Sequence, residues 1–188
     1  MTPAAAPTPT TQVATIGFTK SSAASFFGRL AAAGVRRLID VRLNNTSQLS
    51  GFAKAGDLAW FLDRLGGITY EHRPLLAPTP PLLAAYRAKA LPWPAYAEAF
   101  TALMAEREID RRLDPADLDG ACLLCSEAAP HRCHRRLVCD YLNGKWSGGP
   151  CRPSPLTRRR TAQALDGLPD DWACPSPGKW TTLVGPRR

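Results

Sequence analysis

Four short apolar segments, QVATIGF, RRLIDVRL, ITYEHRPLL and GACLLCSE, recur along the chain with helically spaced segments between them. Strands buried on both faces read as near-continuous apolar runs, and parallel strands need a crossover, usually a helix. This alternation predicts an α/β fold: a mostly parallel sheet with helices on both faces, in a Rossmann-like three-layer arrangement. The first crossover, AASFFGRLAAAGV, is capped by Ser21 or Ser22 and stops near Gly34. The second, DLAWFLDRLGG, has Asp57 near its start and two glycines at its end. Pro74 cuts the third strand short. A helix is expected from Pro81, and LPWPAYAEAFTALMAEREI forms another with prolines at its opening. The last strand leads into a helix after Pro130.

The chain has 188 residues, 45% of them hydrophobic, which suffices for one core. No apolar run approaches the ~20 residues that span a bilayer. The opening MTPAAAPTPTTQ has neither a basic n-region nor an apolar h-region, so residues 1–12 read as a disordered leader. Without an export signal the six cysteines are expected to be reduced, and a cytoplasmic location follows. The α/β domain is expected over residues 13–143, and no cofactor is expected. Residues 144–188 form a basic, proline-rich extension carrying +5 of the net charge of +8, with Trp146, Trp172 and Trp180. Such a tail can lie along a nucleic-acid backbone, with charge for affinity and rings for stacking. It can equally be a solvated tail whose tryptophans pack on their own domain.

Open α/β sheets bind ligands beyond the carboxyl ends of their strands. Here those ends carry Lys20, then Asp40 and Arg42, then Tyr70 and His72, then Cys125 and Glu127. If the strands are neighbours, these residues share a pocket. Asp40 and Arg42 alternate with Val41, so both side chains fall on one face. Asp40 can then orient Arg42 and leave the guanidinium fork free for a phosphate or carboxylate. The alternative is a structural pair that seals the sheet. Lys20, Lys54 and Arg73 are weaker anion-binding candidates.

The stretch LLCSEAAPHRCHRRLVCDYL concentrates thiols, imidazoles and guanidiniums. A zinc reading would take Cys122, Cys125, Cys133 and Cys139 with His134. Cys122 lies inside an apparent buried strand and Cys139 well into the following helix, so both also read as core residues. An active-site reading uses Cys125, Glu127, Cys133, His134 and Arg135. Cys133-His134-Arg135 opens a helix, where exposed N–H groups favour anions and depress a thiol pKa. Glu127 would be a general acid/base, or would simply tie an arginine to the strand.

Several ordered motifs carry a resemblance: TIG in the first strand, DVR in the second, SGFAK, ITYEHRPLL, and LLCSEAAPHRCHRRLV. Together, over about residues 13–143, they resemble the bacterial and archaeal family called domain of unknown function 488. The resemblance implies recurrent polar positions at Asp40, Arg42, Lys54, Tyr70, His72, Cys125, Glu127, Cys133, His134 and Arg135. Cys122 and Cys139 fall outside that pattern, and LLAPTP departs from the family's usual Leu-Gly. The resemblance implies a fold and a pocket but names no reaction. The leading expectation is an enzyme acting on an anionic substrate, a nucleotide or nucleic acid, by a hydrolytic or base-excision step. Arg42 and Arg135 would hold phosphate, and Cys125 or Cys133 would be the nucleophile. The alternatives are a non-catalytic nucleic-acid-binding module and a small zinc-stabilised protein.

Overall fold

The computed structural model describes residues 13–46 and 50–146, and the backbone of 154–155. The leader and nearly all of the basic extension lie outside the described residues. The strands are β1 (Ala14–Gly17), β2 (Arg37–Asp40), β3 (Thr69–His72), β4 (Ala121–Cys125) and β5 (Ser154–Pro155). They form one sheet in the order β3-β2-β4-β1-β5. Every pairing is parallel. The first four strands, read as separate apolar runs in the sequence, are consecutive neighbours, so their carboxyl ends line one edge.

Helices α1 (Ala23–Ala32) and α2 (Ala55–Gly66) cover one face. Phe26 and Leu30 of α1 and Leu58 and Leu62 of α2 pack there with Ile16, Leu38, Cys122 and Leu124. Ser22 caps α1, accepting the Ser25 N–H at 3.2 Å. Gly67 ends α2 in the left-handed conformation, which lacks a steric cost only for glycine. The other face is covered by α4 (Trp93–Glu106) and α7 (His134–Lys145). Tyr96, Phe100 and Met104 meet Ile39, Leu123 and Cys125 there, together with Val138, Cys139 and Leu142. Two-residue periodicity therefore divides β4: Leu123 and Cys125 face α4 and α7, whereas Cys122 and Leu124 face α1 and α2.

The helix expected from Pro81 is α3 (Pro80–Arg87), one residue earlier because Thr79 accepts the Leu82 N–H. Two short helices that apolar spacing did not reveal follow α4: α5 (Ile109–Arg112) and α6 (Pro115–Leu118). Residues after Pro130 form a turn, and α7 begins only at His134. Strand β3 sits at the sheet edge, with Thr69 exposed and Tyr70, Glu71 and His72 half-buried.

Candidate active site

The carboxyl edge of the sheet carries two polar groups, one on each side of β2. On the α1/α2 side, Asp40 is fully buried and holds Arg42 with two side-chain hydrogen bonds. Arg42 Nε donates to Asp40 Oδ1 at 2.8 Å and Nη2 to Oδ2 at 2.6 Å. Nη2 also donates to the Ala53 carbonyl at 2.9 Å. The guanidinium lies 5.1 Å from the Phe18 ring centroid. Tyr70 donates its hydroxyl to Asp40 Oδ2 at 2.8 Å and accepts from Asn45. Burial, reinforced by the Asp40 carboxylate, pushes the Tyr70 phenol up to about 12. His72 Nε2 lies 2.8 Å from the Arg42 carbonyl. Asp40 thus orients Arg42, as the alternation suggested, but the fork is not free, because its bidentate edge is taken by Asp40 itself. Only Nη1 of Arg42 is left without a partner, and it is buried. Lys54, at the N-cap of α2, is half-buried beside this group. Lys20 is exposed in the left-handed conformation after β1.

On the α4/α7 side, Cys125 ends β4 while Cys133 and His134 open α7. The Sγ atoms of the two cysteines and a ring nitrogen of His134 lie within 4.8 Å of one another, all buried. Cys125 Sγ is 3.7 Å from His134 Nδ1. His134 Nε2 is 2.7 Å from the Val41 carbonyl, which can only accept. That geometry places a proton on Nε2 and, in the neutral ring, turns the Nδ1 lone pair toward Cys125. Phe100 packs edge-on against the imidazole at 5.8 Å.

The two thiols divide the ionisation between them. A hydrogen bond from Cys133 holds Cys125 well below the ordinary thiol range, overcoming burial, with help from the His134 charge and the Glu127 N–H. The same hydrogen bond and burial push Cys133 up. His134 is raised: burial opposes its charge, but the neighbouring Cys125 sulfur outweighs it. These directions favour the ionised form at Cys125 over Cys133 and the charged form of the neighbouring His134 imidazole. On the opposite face Cys122 is pushed up by burial, as a core cysteine should be.

Arg135, expected to hold phosphate, is 1% exposed and its guanidinium donates to backbone. Its Nη1 reaches the Glu127 carbonyl at 2.5 Å, and Nη2 reaches the Ala128 carbonyl at 3.3 Å. Nη1 also lies 3.6 Å from Cys133 Sγ. It shapes the loop after β4 and adds positive charge beside the thiols. The Glu127 carboxylate is exposed, and among the described residues it makes no ion pair. The predicted tie between Glu127 and an arginine side chain is thus absent, and the arginine grips its carbonyl instead. The four-cysteine zinc set does not assemble. Cys122 lies across the sheet, and Cys139 packs in the core farther along α7.

Cys125, Cys133 and His134 open into a pocket of about 100 Å³, lined also by Arg42, Glu127 and Arg132. Sequence reasoning missed Tyr86, Arg87, Tyr96 and Arg132, which complete its wall. Arg132 lies inside the stretch between the two cysteines, where a cation facing the same cavity was legible. The others come from α3 and α4, whose helical spacing does not reveal which strand end they cover.

A Rossmann-like α/β domain with a buried thiol–imidazole cluster at the carboxyl edge of its sheet defines the class of the protein. The profile described as domain of unknown function DUF488 matches residues 22–142, and the chain belongs to that family. No curated protein and no solved structure gives a significant match. Among the described residues no helix is long and apolar enough to cross a membrane.

Proposed function

We propose that this pocket is the active site of an enzyme that attacks an anionic substrate with the Cys125 thiolate. One observation carries the reading. Cys125 Sγ lies 3.7 Å from an imidazole whose other nitrogen is fixed by a backbone carbonyl, and the pair opens into a cavity bordered by arginines. This is the arrangement of nucleophile, proton carrier and orienting group that covalent catalysis needs. The sulfur attacks an electrophilic centre, the leaving group departs, and His134 gives it the imidazolium proton. Water then cleaves the thio-intermediate, the exposed Glu127 carboxylate taking its proton; the thiolate leaves, Glu127 releases that proton to solvent and His134 regains one, which restores the starting pair. Arg87 and Arg132 at the wall of the pocket favour a negatively charged substrate, a nucleotide or nucleic acid. Cys122, Cys125 and Cys133 are unbridged, which fits a reducing, cytoplasmic setting.

The reading is tested by iodoacetamide alkylation followed across pH, with the modified cysteine identified by mass spectrometry. Cys125 should react selectively, with a midpoint well below the ~8.5 of a free thiol. Equal labelling of all cysteines only above that pH sinks the proposal. A second reading rests on the same three donors, which suit a zinc ion with one open position for water. Metal analysis of protein purified without added zinc separates the two, since about one equivalent that survives dialysis favours the metal.

A further inference from the structure

Beside the thiol pocket a second opening of about 460 Å³ shares its wall, with Tyr86, Arg87 and Arg132 lining both. Lys89 and Trp93 complete the outer part. From this groove and the thiol reading above, we infer that the protein binds a phosphorylated nucleoside, its phosphate on Arg87, Lys89 and Arg132 and its base against Trp93.

Three features support the assignment. The first is charge. Arg87, Lys89 and Arg132 are exposed, and among the described residues no carboxylate pairs with any of them. Elsewhere on the surface, arginines such as Arg36, Arg111 and Arg136 do have acidic partners. Three uncompensated cations around one opening raise the local concentration of anions.

The second is the aromatic wall. Trp93 is half-buried and stacks on Tyr96 at 5.6 Å, and Tyr96 stacks on Phe100 at 6.1 Å. Phe100 in turn meets His134. The ladder braces the Trp93 ring from behind and runs from the groove to the imidazole. A fixed indole next to cations is the combination that takes a base by stacking and its phosphate by charge.

The third is backbone conformation. Lys89 has φ of 58°, in the left-handed region that favours glycine. It follows α3 where helices commonly end on glycine, and the N–H groups of Lys89 and Ala90 close the turn on Tyr86 and Ala85. A lysine is thus held at a conformational cost on the lining of the groove, in a place that a glycine would fill without strain.

The test uses the full chain with two probes: thymidine 5′-monophosphate by calorimetry and a fluorescein-labelled oligo(dT) octamer by anisotropy. Expected is binding of at least one, weakened about tenfold or more in Arg87→Gln/Arg132→Gln. For the octamer, the salt slope should fall by about 0.7 for each phosphate that the variant no longer neutralises. Arg36→Gln/Arg136→Gln, which changes the net charge equally, should bind like the wild type. Lys89→Gly should melt higher yet bind more weakly, an opposition that a purely structural lysine would not produce. Binding of the octamer alone identifies a strand, and binding of the mononucleotide alone a free nucleotide. Ribose 5-phosphate binding as tightly as the nucleotide overturns the stacking role of Trp93. No binding of either probe, or an equal drop in affinity in both double variants, overturns the site. Cys125→Ser should leave binding intact, so a failure of the thiolate reading shows in alkylation and not here.

Discussion

Gly17→Ala is expected to unfold the site from a position that contributes no functional group. A Cβ built on Gly17 would lie 1.8 Å from the Glu127 carbonyl oxygen and 2.6 Å from its carbon. It would also meet Arg135 Nη1 at 3.0 Å. The obstacle is mainly backbone, so no side-chain rotation relieves it. To reach an ordinary van der Waals separation the loop after β4 must retreat by more than about 1 Å. That movement breaks the Arg135–Glu127 hydrogen bond and the two from Thr19 to the Ser126 carbonyl, at 3.1 and 2.6 Å. Breaking two or three such bonds at about 1 kcal/mol each, with residual strain, gives roughly 3–5 kcal/mol. For a chain of this size that lowers the melting temperature by about 10 °C. The same displacement removes the Glu127 N–H from Cys125, so the alkylation midpoint of Cys125 should rise. Urea titration and the alkylation profile read the two effects separately. Gly56→Ala is the control: nothing lies within 4 Å of its added Cβ, and in helix α2 it should stabilise by about 0.5–1 kcal/mol. A Gly17→Ala protein that melts within about 2 °C of the wild type with an unchanged alkylation midpoint would refute the reasoning.

Asp40→Asn should cost about 3–5 kcal/mol in urea unfolding, because it leaves the buried Arg42 guanidinium without its carboxylate. A cost below about 1 kcal/mol would mean that Tyr70 and the Ala53 carbonyl alone hold Arg42. Cys133→Ala should move the Cys125 alkylation midpoint toward that of a free thiol. The sign follows from the cause: the Cys133 hydrogen bond depresses Cys125, and removing it leaves burial to raise the value. An unchanged midpoint would assign the depression to His134 instead.

The fold was legible where the chemistry is local. Apolar runs, the Ser22 cap and the glycines after α2 mark strands and helix ends directly in the residues. Strand order was not, since the placement of β4 between β1 and β2 depends on packing between distant segments. The grouping of Cys125, Cys133 and His134 was legible because a strand, a turn and a helix bring nearby residues together. The occupation of Arg135 was not. It depends on the bare face of Gly17, more than a hundred residues away in the chain, which lets the guanidinium lie against the sheet and reach two carbonyls. Arg87 and Trp93 were missed for a related reason, as the connection between α3 and α4 looks from its sequence like any exposed corner.

The tripeptide Asp40-Val41-Arg42 serves both faces of the sheet at once. The side chains of Asp40 and Arg42 form the clamp toward α1 and α2, while the carbonyl of Val41 holds the imidazole on the far side. Strand faces alternate with every residue, so a single insertion or deletion within β2 would exchange them. The carboxylate would be turned against the aromatic ladder, and a valine would be offered to Arg42's neighbours. Length variation is therefore closed to this strand even though its sequence is only a few residues long.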